Sequence, residues 1–177
     1  ILNVIRNEEI YSAVNELETL KYTAPAPLVF ATPNLSGSQI ATVTADRKSL
    51  QVTNSAESEF KLVAQGDQIS KPTWDRDGNI YFSDFGQGVR EVTRDGSLRP
   101  VSVDASTLGT NDQVKQVLVS SDGVRVAVVL SNGIQDVVAV GAVFKTDSET
   151  RIIGLHRIER SITAIRDIVW SSPTSIA

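Results

Sequence analysis

Pro72-Thr73-Trp74-Asp75-Arg76-Asp77-Gly78 reads as a short strand running into a tight turn, and the pattern returns at Val117-Leu118-Val119-Ser120-Ser121-Asp122-Gly123. Gly78 and Gly123 lie 45 residues apart, as do Trp74 and Val119. Ile165-Arg166-Asp167-Ile168-Val169-Trp170-Ser171-Ser172 opens the pattern again, with Trp170 placed 51 residues after Val119. Self-similarity at this period marks repeats that bury their apolar faces on one another, and the spacing fits β-propeller blades. The surplus in the last interval is expected in a longer outer connection near residues 146–150.

Outward from these hairpins, Val, Ile, Thr and Leu fill short apolar runs separated by Gly, Asp, Asn and Ser, the pattern of an all-β chain. Asp77-Gly78, Asp95-Gly96, Asp122-Gly123 and Asn132-Gly133 supply the positive φ that tight hairpins need. The one helical candidate, residues 8–20 with Ile10, Val14 and Leu17, also reads as a strand pair turning at Arg6-Asn7-Glu8, and the repeat favours the strands. The expected fold is all-β, a partial β-propeller of four-stranded antiparallel blades, with about three blades plus edge strands. The blades are expected at 28–70, 71–113 and 114–164. Residues 1–27 would supply strands of a preceding blade, and residues 165–177 the opening strand of the next. The chain is then expected to begin and end inside blades, as an internal piece or processed product of a longer protein. Open blade edges invite pairing, so self-association of such a fragment is expected.

The chain has 177 residues, 41% hydrophobic and 21% charged, enough for one domain with a sizeable core. Its net charge of −4 argues against nucleic acid, which demands a concentrated basic surface. The basic cluster Arg151, His156, Arg157, Arg160 and Arg166 is interleaved with apolar residues and reads as solvated strand faces. There is no cysteine, which removes disulfides, thiol nucleophiles and cysteine-ligated metals. No apolar run reaches membrane-spanning length.

The candidate chemistry is sparse. His156, the only histidine, has no ligand cluster around it. Asp75, Asp77 and Asp84 superficially open a calcium loop, but Gly86 stands where the bidentate acid belongs, so these aspartates read as turn residues. Trp74 and Trp170 occupy equivalent positions and read as packing between blades. Gly86-Gln87-Gly88 reads as a hairpin loop. No nucleophile elbow, phosphate loop or zinc-hydrolase motif is present. No metal and no cofactor are expected.

The 72–78 stretch resembles the P-x-W-S-P-D-G hairpins of TolB-like propellers. With residues 117–129, 138–143 and 162–170 added, residues 28–177 resemble the C-terminal propeller of the actinobacterial LpqB lipoproteins. Asn34-Leu35-Ser36-Gly37 departs from the pattern where the family has Ser-Pro-Asp-Gly. The resemblance implies a protein tethered to the outer face of the cell membrane through an N-terminal lipidated cysteine, which this chain lacks. It also implies a protein partner, the extracellular sensor domain of the MtrB histidine kinase of the MtrA–MtrB two-component system.

The leading expectation is therefore a non-enzymatic extracytoplasmic binding module. Its contact loops would lie at 75–79, 104–112 and 120–124, offering Asp75, Arg76, Asp77, Asn79, Asp104, Asn111, Asp112, Ser121 and Asp122. The alternative is a hydrolase-like propeller enzyme with its site at the central channel. Lys71, Thr73, Lys115 and Gln116 would lie near that axis, with no carboxylate pair or histidine beside them to supply acid–base chemistry.

Overall fold

The computed structural model of the chain describes residues 2–14, 17–54, 59–104, 106, 108–158, 164–172 and 175–177. Arg160 of the basic cluster lies outside these. The described residues form strands and turns with no α-helix, and the helical candidate at 8–20 falls on strands.

The chain opens with three antiparallel strands, β1 (Leu2–Arg6), β2 (Glu9–Val14) and β3 (Leu17–Thr23). A four-stranded blade follows, from β4 (Leu28–Pro33), β5 (Gln39–Thr44) and β6 (Ser49–Asn54) to β7 (Phe60–Gln65). The next is β8 (Thr73–Trp74), β9 (Ile80–Asp84), β10 (Gly88–Val92) and β11 (Leu98–Val103). The third is β12 (Gln113–Val119), β13 (Arg125–Ser131), β14 (Asp136–Lys145) and β15 (Thr150–Arg157). The hairpin β16 (Trp170–Ser172) and β17 (Ser175–Ile176) closes the chain. Within each blade, chain order equals sheet order and every pairing is antiparallel.

Period-two alternation makes each of the three four-stranded sheets a wall of two seams. On β13, Val126, Val128 and Leu130 join the core toward β8–β11, while Ala127 and Val129 join the core toward β16–β17. On β9, Ile80 and Phe82 face the β4–β7 blade and Tyr81 faces the β12–β15 blade. Together with the seam between β1–β3 and β4–β7 around Ile10, Leu28 and Ile40, four apolar seams separate the five sheet segments. The middle strands β9 and β13 are buried on both faces, which explains the unbroken apolar runs at 80–82 and 126–130. Gly78 and Gly123 carry φ of +86° and +74°, as the repeated turns require.

Two features differ from the sequence expectation. Residues 146–149 form a short turn, and the surplus lies in the strands: β14 and β15 run 10 and 8 residues, against 5 and 6 for β10 and β11. Nor are all blade edges open. β11 and β15 pair in parallel, Val101 with Thr150 and Val103 with Ile152. Equivalent outer strands run the same way, so only a parallel pairing can satisfy both edges. With β12 packed over β9, this pairing makes the seam between the two blades close on itself.

That closed seam holds two buried carboxylates, Asp75 and Glu91. In the third blade, the Ser120 hydroxyl donates to Asp122 and the Asp122 carboxylate accepts the Val124 N–H at 3.0 Å, a clip that draws the Asp122 pKa down. Thr44 with Asp46, and Thr93 with Asp95, repeat it at other turns; the bonds hold Asp95 at about 2. At Trp74-Asp75 an aspartate replaces the serine of this clip. Its Oδ1 accepts the N–H groups of Asp77 and Asn79, each at 2.9 Å. Its fully buried carboxylate also accepts from the Lys145 ammonium, reaching across from β14. Lys145 lies 3.8 Å from Glu91 Oε1 and 5.2 Å from the Tyr81 ring centre. Glu91 accepts from the Tyr81 and Thr150 hydroxyls, each at 2.7 Å. Burial and the bond to Glu91 push the Tyr81 phenol up, so it stays protonated and donates. Burial alone would raise the Asp75 pKa, but the bonds from Lys145 and Asn79 outweigh it and hold it below the ordinary value.

Lys145→Met leaves Asp75 buried without its ammonium. A destabilisation on the order of 3 kcal/mol is expected, measured by equilibrium denaturant unfolding.

Candidate functional site

Aligning the hairpins on Gly37, Gly78 and Gly123 makes Pro33, Trp74, Val119 and Trp170 equivalent. The residues just before them, Thr32, Thr73, Leu118 and Val169, are equivalent too. All eight line one cavity of about 720 Å³. The inner strands β4, β8 and β12 thus contribute the same two positions each, Val169 and Trp170 at the entry to β16 supply the fourth pair, and the cavity is an axial cup at the end where these strands run into their hairpins. The volume is within the ordinary range for ligand sites.

Both indoles are anchored in the same way. Trp74 Nε1–H donates to the Thr32 carbonyl at 2.9 Å, and Trp170 Nε1–H donates to the Leu118 carbonyl at 3.2 Å. Each therefore clips its blade to the equivalent position of the preceding one. Val119 has no such donor, and at that seam the Thr73 hydroxyl donates to the Val119 carbonyl at 3.3 Å. With their N–H groups committed, the indoles show the cup only carbon. Of the sixteen lining residues, Lys21 alone is charged. Leu35 and Val169 are 66% and 55% exposed at the rim.

The opposite end of the axis is polar. Lys71, Gln116 and Asp167 are again equivalent, three residues before Trp74, Val119 and Trp170. Lys71 Nζ donates to Asp167 Oδ2 at 2.5 Å, and Gln116 Nε2 donates to Asp167 Oδ1 at 3.0 Å. Beside them Lys115 Nζ donates to Asp136 Oδ2 at 2.6 Å and to the Ile165 carbonyl at 3.1 Å. The Ile165 N–H donates to Asp136 Oδ2 at 2.8 Å. For both aspartates burial pushes the pKa up, while the lysine and amide bonds outweigh it and leave the pKa lowered. Asp136 and Asp167 thus stand beside Lys71, Lys115 and Gln116, where the sequence reading placed no carboxylate pair. Counting three residues back from Trp170 would have found Asp167. Asp136 comes from the start of β14, which no repeat position marks. Chemically, both are anions held by ammonium groups, an arrangement that ties the 164–169 segment to the inner strands.

The sequence-derived contact residues fall at both ends. Arg76, Asp77 and Ser121 are exposed on the cup-side hairpins, and Asn79 and Asp122 are half-buried there. Asp75, expected in a contact loop, is buried in the seam instead, because it replaces the serine of the turn clip. Asp104, Asn111 and Asp112 lie in the connection from β11 to β12, at the polar end, where Asp112 accepts from Gly109 N–H at 2.8 Å and pairs with Arg157. Asp84, grouped in sequence with Asp75 and Asp77, also sits at that end, at the foot of β9. Its Oδ1 accepts the Asp67 and Gln68 N–H groups at 3.1 and 2.9 Å. Among the described residues, no three His, Cys, Asp or Glu gather as metal ligands. His156 is exposed on β15.

Residues 12–177 match the sequence model of the family described as the lipoprotein LpqB β-propeller domain. Lipoprotein LpqB of Cutibacterium acnes is 25% identical over 171 residues, covering 93% of this chain and 28% of the relative. The chain therefore spans little more than a quarter of that relative's length. Among solved structures, the chain is similar to Kuenenia stuttgartiensis hydrazine synthase, with a TM-score of 0.68, 15% identity, and coverage of 92% of this chain and 46% of the other. A Bacteroides thetaiotaomicron protein of unknown function aligns with a TM-score of 0.63, 15% identity, and coverage of 98% and 52%. A nidogen/laminin complex aligns with a TM-score of 0.60, 11% identity, and coverage of 86% and 60%. At these identities the likenesses establish the fold alone.

The Asp136 and Asp167 pairs stabilise fully above the ordinary carboxylate value of 3.8 and fade as pH falls through their lower folded values. Amide exchange across 164–171, corrected for intrinsic rate, is expected to rise relative to β9 as pH drops from about 5 to about 3. Lys71→Met should remove part of that dependence.

Proposed function

The chain belongs to the LpqB lipoprotein β-propeller family, and from this we propose that it is a non-enzymatic binding module of the cell envelope, docking the extracellular sensor domain of the MtrB histidine kinase and modulating its signalling. It works on the outer face of the membrane, tethered there by the lipid anchor of the whole lipoprotein. The observation that carries the reading is the axial cup. Four equivalent strand ends converge on an apolar recess whose rim leaves Leu35 and Val169 in water. Exposed apolar surface gathered at one place favours a protein interface. At the other end of the axis, Asp136 and Asp167 are each engaged by a lysine ammonium, and these pairs tie the 164–169 segment to the inner strands.

Immobilised sensor domain is expected to bind the full lipoprotein saturably in biolayer interferometry. Absence of binding by the folded protein would remove this partner.

A further inference from the structure

We propose that the axial cup takes an apolar peptide segment of a partner protein, flanked by an acidic residue. The inference rests on the docking function above and adds the chemistry of what docks. Three observations carry it. The floor is apolar: both indole N–H groups are committed to backbone carbonyls, leaving the rings and Leu118 to contact carbon. The apolar surface also runs past the cup. Leu35 and Val169 on the rim, and Val124 on the adjacent 120–124 hairpin, are 66%, 55% and 53% exposed. A compact small molecule would fill the recess and leave this rim wet, whereas a polypeptide with several side chains covers both.

The charges decide the flank. On the cup-side hairpins, Arg76 lies 3.8 Å from Asp77 and Arg125 lies 3.0 Å from Asp122, so these charges offset one another. Lys21 is the one charged residue lining the cup, and no acidic side chain lines the cup with it. An acidic side chain beside the apolar anchor would pair with it.

The test selects random twelve-residue displayed peptides on the immobilised full chain, on Lys21→Glu and on Val169→Asp. Both substitutions are on exposed side chains, and circular dichroism checks that each variant keeps its strands. The chain should enrich peptides pairing Leu, Phe or Trp with Asp or Glu. Lys21→Glu should shift enrichment to basic flanks, and Val169→Asp should reduce recovery at least tenfold. No enrichment, basic peptides from the unmodified chain, or enrichment indifferent to Lys21→Glu would overturn the proposal. Sensor-domain binding to the same variants separates the two readings. Binding unchanged by both substitutions leaves docking standing and removes the cup as its site. Peptide selection as expected without sensor-domain binding keeps the cup and removes the kinase as partner.

Discussion

A carboxylate buried between two β-sheets must be paired, and this constraint organises the centre of the molecule. Asp75 stands where the third blade has Ser120, in a turn that needs an oxygen acceptor at its base. An aspartate satisfies that turn by accepting two N–H groups directly. The substitution also places a negative charge in the seam, away from water, where an unpaired ion is costly. Lys145 answers it from the end of a lengthened β14, and Tyr81 and Thr150 satisfy the neighbouring Glu91. The long outer strands that carry Lys145 and Thr150 are the same ones that bring β15 against β11. Turn chemistry, charge pairing and edge closure at this seam are therefore coupled.

Two of the other seams rely on a different device. Where tryptophan occupies the inner-strand position, its indole spans to the preceding blade and its ring fills the space beside the axis. Where valine occupies it, a threonine hydroxyl makes the crossing bond and the polar network does the rest. Equivalent positions along the repeat thus have equivalent directions but different chemistry. That division produces an axis with two unlike ends: a cup lined largely by apolar side chains with Lys21 as its one charged lining residue, and lysine–aspartate pairs at the other. A small change in side-chain type at a fixed repeat position turns a scaffold contact into a recognition surface.

Much of the architecture was legible in the sequence, because hairpin turns and period-two burial are local properties. The Asp-Gly turns, the continuous apolar runs and the equivalence of Trp74 with Trp170 all follow from neighbours along the chain. The site was less legible. Its contact loops were chosen as polar turns, and polarity does not report which end of a strand a loop occupies. Asp104 and Asp112 therefore landed at the end opposite Arg76 and Ser121. Lys145, Asp136 and Lys21 escaped notice since their partners lie on other blades or their role comes from what surrounds them. Asp75 looked like a surface turn residue, and only its Ser120 counterpart in the third blade hinted that it carries a buried charge.

The charge at Asp75 and the ammonium of Lys145 are held in the seam by each other. A double-mutant cycle of Asp75→Ser and Lys145→Met, read by denaturant unfolding, tests this most directly. Ser at 75 restores the neutral turn clip, so the double variant should be far more stable than the sum of single losses implies, with a coupling on the order of 2 kcal/mol. Additive losses, with coupling of only a few tenths, would contradict the account.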